Sequence, residues 1–194
     1  MPSDMPSQCG ACLTRPGTSA LQACAAAVDY AYPWDGLIAR FKFQGEPGWA
    51  SQFACRMLQA PRSITLLSQS DLLVPVPLTA ARLAERGYNQ AWELVKALKR
   101  LCTATVAAQP VADALVRVIE APDQHHLTRE RRLRNLHGVF APHPWHASRL
   151  SGAHVLLVDD VTTTGATLQA AAQALCQAGA ERVSALVFAC TPPR

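Results

Sequence analysis

The apolar positions of this chain change period at a few places, and those changes predict its elements. Val155, Leu156, Leu157 and Val158 form an unbroken apolar run, which suits a central parallel strand covered on both faces. The strand is expected to end at the acids that follow, Asp159 and Asp160. Beyond Thr164 the period becomes helical, with Leu168, Ala171, Ala172 and Leu175 on one face and Gly179 as the stop. Leu72 to Pro75 reads as a second buried strand, closed by Pro75 and Pro77, which cannot donate to a ladder. From Asn89 a helix is expected to reach Leu101, with Leu94, Leu98 and Leu101 inward.

Upstream, Val28 to Tyr32 reads as a short strand, followed by a helix with Leu37, Ile38 and Phe41 on one face. A second helix runs from about Gly48 to Leu58, where Trp49, Phe53 and Met57 recur every four residues as core. Residues 59 to 70 read as a connector, Ala114 to Ile119 as a third strand, and Pro142 to Ser151 as a loop. Val183 to Ala189 reads as the last strand. Alternating strands and helices of this kind predict an α/β fold, a doubly wound, mainly parallel sheet with its ligand outside the carboxyl ends of the strands.

The turn between the acids and the last long helix carries the most chemistry. Thr162, Thr163, Thr164, Gly165, Ala166 and Thr167 stand where a helix begins, so unpaired backbone N–H groups and the positive end of the helix dipole accompany several hydroxyl donors. Gly165 lets backbone approach an anion closely. Asp159 and Asp160 beside it accept hydrogen bonds from hydroxyl groups, so the stretch describes a ribose 5-phosphate site. A lone T-T-G would be an ordinary helix cap, but the buried strand, the paired acids and the threonine spacing together favour the site. No lysine follows the glycine as in a Walker A loop, and G-x-G-x-x-G is absent.

The nonapeptide D-D-V-T-T-T-G-A-T resembles the signature of type I phosphoribosyltransferases. In those proteins the loop holds the 5-phosphate of phosphoribosyl pyrophosphate and the acid pair holds the ribose hydroxyls. Val74 to Gln90, ending in R-G-Y-N-Q, is similar to the ComF/GntX branch, as are Gln124, Leu127, Arg132 and Asn135 followed by Gly138 and Phe140. The resemblance runs from about Cys9 to the C-terminus. It implies that Arg82 and Arg86 face the pyrophosphate, their guanidinium groups matching phosphate oxygens. It implies a mobile arm carrying Gln124, Arg132 and Asn135 that closes over the same group; Arg129 and Arg131, within a run of charges, read as a solvated helix face. It also implies a division into an N-terminal tail with a partial cysteine knuckle, residues 1–27, and a phosphoribosyltransferase-like domain, residues 28–194, in which 28–60 form a hood over the site. Lys42 within that hood reads as a solvated lysine that could also be a contact.

Composition narrows the setting. A length of 194 residues with 49% apolar content suits one globular domain. The net charge of +4 is mild, and the basic excess between Ala121 and Asn135 suggests local anion binding rather than a surface that coats nucleic acid. No apolar run approaches the roughly 18 residues of a membrane span, and no secretory signal order opens the chain, so a cytoplasmic protein without membrane association is expected. Cys9 and Cys12 supply two of the four ligands of a structural zinc. The family has several such pairs, of which this one looks like the last; a truncated knuckle, a complete site using Cys24 and a redox role stay open, and zinc is not expected here. Cys55, Cys102 and Cys176 fall in helical patterns as buried small hydrophobes.

The resemblance implies a Mg2+-bound phosphoribosyl pyrophosphate, the ion held mostly by ligand oxygens and water, and transfer of the phosphoribosyl group to an acceptor the residues do not identify. Asp159 and Asp160 are the expected catalytic pair. Two other classes remain open: a regulatory module that binds this ligand without turnover, and an accessory protein of competence and DNA uptake. A helicase-like competence protein and a second copy of the chain are the candidate partners.

Overall fold

The computed structural model describes residues 19–102, 106–118 and 138–191. Five strands form one parallel sheet: β1 (Ala23–Asp29), β2 (Leu72–Pro75), β3 (Gln109–Pro110), β6 (His154–Thr162) and β7 (Arg182–Cys190), in the order β1-β7-β6-β2-β3. Two further strands, β4 (Leu115–Arg117) and β5 (Phe140–Pro142), pair antiparallel with each other outside it. Helices α1 (Trp34–Phe43), α2 (Trp49–Leu58), α3 (Ser63–Ser68), α4 (Ala80–Arg86) and α5 (Gln90–Leu101) precede the β3 edge. A short α6 (Ala147–Leu150) leads into β6, and α7 (Ala166–Gln177) joins β6 to β7.

The alternation of side chains along the strands divides the core into two layers. Leu156 and Val158 of β6, with Leu186 and Phe188 of β7, pack under Ile38, Phe41, Phe53, Met57, Leu94 and Leu98 from α1, α2 and α5. Val155 and Leu157, with Val183, Ala185 and Val187, pack on the other face under Leu168, Ala171, Ala172 and Leu175 of α7. The apolar run that suggested a doubly covered strand is therefore buried on both faces, and the mainly parallel α/β sheet is present. Phe53 and Phe188 stack at 4.0 Å between centroids, which fixes α2 directly on β7.

Several local expectations are corrected. The first strand is the alanine-rich Ala23–Asp29, and Tyr30 and Tyr32 lie beyond it, exposed. Pairing with β7 from Ala23 to Asp29 overrides the low strand propensity of alanine. The connector holds the helix α3, and the loop after Pro142 holds α6. The third strand of the sheet is the two-residue β3, whose Pro110 lacks a donor. Leu115–Arg117, expected to be that strand, instead forms the hairpin with β5. Strand β6 does not stop at the acids but pairs on to Thr162↔Cys190, because its neighbour β7 continues and the backbone ladder is indifferent to the side chains. Leu101 is exposed at the end of α5, and Val95 in its middle is buried beside Leu94 and Leu98. Cys55 is exposed, Cys102 buried and Cys176 half-buried.

The segment assigned to a hood, 28–60, contributes the end of β1 and the helices α1 and α2 to the layer over one face of the sheet. Its exit from α1 lies against the site, as follows.

Candidate functional site

The sheet order determines where a ligand can sit. Strands β2 and β6 are neighbours, but the chain leaves β2 toward β3 on one side and leaves β6 toward β7 on the other. Connections that diverge in this way open a crevice at the carboxyl ends of the two strands. There the structure has a cavity of about 160 Å³, walled by residues after β2, the last part of β6 with the start of α7, the end of α1, and Arg117.

One wall is the β6 to α7 junction. Asp159 and Asp160 point from consecutive positions of β6, and the Asp160 N–H donates to Asp159 Oδ1 at 2.8 Å. Asp160 is only 5% exposed. It continues the face of Leu156 and Val158, the face that α1 covers, so the Lys42 ammonium at the end of α1 meets its Oδ1 at 3.1 Å. Removal from water pushes the Asp159 carboxyl above the usual carboxylate range, the neighbouring Asp160 charge adds to this, and Lys42 partly offsets it. Past the acids, Gly165 takes a φ of 72°, a left-handed turn that glycine adopts without strain. It delivers the chain into α7, whose first N–H groups lack intrahelical acceptors. The Ala166 N–H reaches Thr164 Oγ1 only at 3.4 Å.

The other wall is built from the R-G-Y-N-Q stretch. Thr79 caps α4 by accepting from the Arg82 N–H, and Gly87 ends the helix with a φ of 75°. Asn89 caps α5 by accepting from the Ala91 N–H and donates from Nδ2 to the Val76 carbonyl at 3.1 Å, tying the loop to the end of β2. Arg86 donates from Nη1 to Gln90 Oε1 at 3.0 Å and lies over the Phe43 ring at 4.9 Å. Its Nε is buried with no hydrogen-bond partner among the described residues. Buried donors are rarely left unmatched. The Tyr88 hydroxyl donates to the Phe41 carbonyl, and burial raises the pKa of that hydroxyl.

Of the residues expected to act, Arg82, Arg86, Asp159, Asp160 and Thr167 line the cavity together. Thr162 is buried at the end of β6, Thr163 to Gly165 form the adjoining turn, and Ala166 opens α7. Gln124, Arg132 and Asn135 lie outside the described residues, as do Cys9 and Cys12. Sequence reasoning gave too little weight to Lys42 and Arg117, which also line the cavity. Lys42 had one signal, a cation directly between the core residue Phe41 and Phe43. Arg117 had another, a charge between Val116 and Val118 that no strand core would accommodate. The wall therefore carries four cations opposite two acids. Among the described residues no cluster of three or more His, Cys, Asp and Glu comes together to hold a metal. Among the same residues no helix is long and apolar enough to cross a membrane.

A second cavity, of about 590 Å³, adjoins the first across Pro77, Leu78, Asn89 and Arg117, with Tyr88, Trp92 and Leu83 in its walls.

Comparison with known proteins places this geometry among relatives. A model of the phosphoribosyl transferase domain matches residues 104–193. The DNA utilization protein YhgH of Salmonella typhi is 33% identical over 187 residues, covering 94% of this chain and 78% of that protein. Competence protein F of Haemophilus influenzae is 31% identical over 158 residues, covering 79% of this chain and 66% of the relative. Competence protein ComFC of Bacillus subtilis is 31% identical over 142 residues, covering 73% and 53%.

Proposed function

The chain belongs to the ComF family of phosphoribosyltransferase-like proteins, and from that premise we propose that it binds phosphoribosyl pyrophosphate with Mg2+ and transfers the phosphoribosyl group to an acceptor. The observation that carries the reading is the meeting, at the diverging strand ends, of an acid pair beside a helix N-terminus with a wall of cations. The α7 N-terminus and its threonine turn would hold the 5-phosphate. Asp159 and Asp160 would accept the ribose hydroxyls. Arg82 and Arg86 would neutralise charge developing on pyrophosphate as its bond to the ribose C1 breaks, fixed cations being most effective where water is excluded. Gln124, Arg132 and Asn135 join this set on family resemblance.

Mg2+ would supply further neutralisation of the pyrophosphate, and the two acids of the site suit an ion held chiefly by ligand oxygens. The adjoining cavity has the volume of a small-molecule site and aromatic walls, and we place the acceptor there. Calorimetry with phosphoribosyl pyrophosphate and Mg2+ tests binding. Incubation with a panel of nitrogenous bases, read as pyrophosphate release, tests transfer; binding without release would leave the regulatory module.

The names of the relatives support a second role that is compatible with the first. Relatives called DNA utilization and competence proteins support a role in the handling of DNA, and with it we propose a cytoplasmic setting and a helicase-like partner. Co-purification with such a helicase, tested with and without phosphoribosyl pyrophosphate, checks this role and its dependence on the ligand; sedimentation of the pure protein checks for a homodimer.

A further inference from the structure

We infer that Lys42 is a ligand-contacting residue of this site, donating to an oxygen of the group carried on the ribose C1, and that the R-G-Y-N-Q stretch serves to hold it there. The inference rests on the phosphoribosyl pyrophosphate reading above and extends it to a segment that the matched domain, residues 104–193, does not include.

The argument starts from donors. An ammonium has three N–H groups, and among the described residues the recorded partner of Lys42 is Asp160, at 3.1 Å. Its side chain is 21% exposed, and it lines the cavity between the acids and the arginines. The remaining donors therefore face the space beside the carboxylates. If those carboxylates take the ribose hydroxyls, the atoms next along the ligand are C1 and its substituent. A lysine that only neutralised Asp160 would need no such opening.

The placement of Lys42 is also held from both sides. Phe41 before it accepts the Tyr88 hydroxyl at its carbonyl and meets the Tyr88 ring at 6.0 Å. Phe43 after it is 64% exposed yet lies under the Arg86 guanidinium at 4.9 Å. Two residues of one motif thus grip the two neighbours of Lys42, and Asn89 of the same motif grips the end of β2. The exit of α1 and the loop after β2 are fixed as one piece, with the ammonium between them.

The test compares two ligands on one protein. Ribose 5-phosphate shares the phosphate and hydroxyl contacts but lacks pyrophosphate at C1. Lys42→Met is expected to weaken phosphoribosyl pyrophosphate with Mg2+ by about tenfold to a hundredfold, the range for one charge-assisted hydrogen bond. Ribose 5-phosphate loses only what the acids owe to their ion pair with Lys42, so it should weaken by a clearly smaller factor, and its remaining binding shows that the variant is folded. Lys42→Arg should recover most of the difference by keeping the charge. Tyr88→Phe, which frees the Phe41 carbonyl, should shift the ratio of the two affinities the same way by a smaller factor, and Tyr88 is then a positioning residue. Equal weakening of both ligands in Lys42→Met would overturn the inference, since Lys42 would then act only through Asp160. Unchanged affinity for phosphoribosyl pyrophosphate would overturn it too. A parent protein that binds neither ligand would instead defeat the functional reading on which the inference stands.

Discussion

The two walls of the site are made in different ways. The acid wall is one continuous piece of chain, β6, the threonine turn and α7, in which strand, turn and helix follow each other without interruption. The cation wall is gathered from separate segments, with Lys42 from the end of α1, Arg82 and Arg86 from α4, and Arg117 from the β4 hairpin. A contiguous wall is set mainly by local geometry, since the sheet needs only to place β6. A gathered wall exists only when three elements pack correctly against one another. The first can therefore specify what is bound, while the second is open to variation in what is done with it.

The largest expected effect comes from breaking the contiguous wall. Asp159→Asn combined with Asp160→Asn removes both carboxylate acceptors and the partner of Lys42. A hydrogen bond to the Lys42-paired Asp160 carboxylate is worth about 1.5 to 3 kcal/mol and one to the neutral Asp159 carboxyl about 0.5 to 1.5 kcal/mol, so affinity for phosphoribosyl pyrophosphate should fall by roughly a hundredfold in calorimetry. Affinity for ribose 5-phosphate should fall with it, because both ligands use the hydroxyls. An unchanged affinity would remove the acids from the ribose assignment.

Breaking the gathered wall should be smaller and selective. Arg86→Met leaves an apolar stem over Phe43 but removes the buried Nε and the bond to Gln90. Loss of one charged contact predicts roughly a tenfold weaker binding of phosphoribosyl pyrophosphate, with ribose 5-phosphate little altered and the salt dependence reduced. If the two ligands weaken equally, the walls do not divide the ligand between them.

A backbone change sharpens the comparison from the contiguous side. A Cβ at Gly165 would meet nothing within 4 Å, so Gly165→Ala is a conformational test and not a steric one. Holding alanine at a φ of 72° costs roughly 1 to 2 kcal/mol. That corresponds to about 2–8 °C in Tm at this size. Binding should weaken only severalfold, since the N–H groups remain and the turn is merely strained. A variant as stable as the parent would show that the turn relaxes without consequence.

The same contrast explains what could be read in advance. The apolar run 155–158, the helix face Leu168, Ala171, Ala172 and Leu175 and the strand Leu72–Pro75 are local patterns, and each stands where its period put it. The two acids and Thr167, read from the same stretch, line the cavity. What was misread depended on partners distant in sequence. The first strand is alanine-rich and exists because β7 offers an edge to pair with. The acids lie within β6 because β7 extends beyond them. Leu115–Arg117 has strand composition but finds its partner in Phe140–Pro142 rather than in the main sheet. Lys42 looked like any lysine near a helix end, because nothing in its own neighbourhood records that Asp160 will lie 3.1 Å away.

The smallest expected effect concerns the stability of the empty site and has the opposite sign from the effect on binding. Asp159 is held protonated to higher pH than an ordinary carboxyl because it is withdrawn from water beside Asp160. An acid whose pKa is raised by folding ionises first in the unfolded chain, near its ordinary value of 3.8. Stability is therefore undiminished below that value and is lost as pH rises from there toward the folded pKa. Asp159→Asn removes this liability while keeping an oxygen for the Asp160 N–H and leaving the Lys42 pair in place. Lys42 already offsets part of the strain and the group keeps some contact with water, so the gain should be at most about 1 kcal/mol, or roughly 2–4 °C in Tm. It should be present near pH 8 and vanish near pH 4, read as the difference in Tm between variant and parent at each pH. A difference that is constant with pH, or a loss at pH 8, would mean that folding does not hold the carboxyl in its neutral form. A gain in stability together with a loss of ribose binding would show that the acids are retained for the ligand at a cost to the fold.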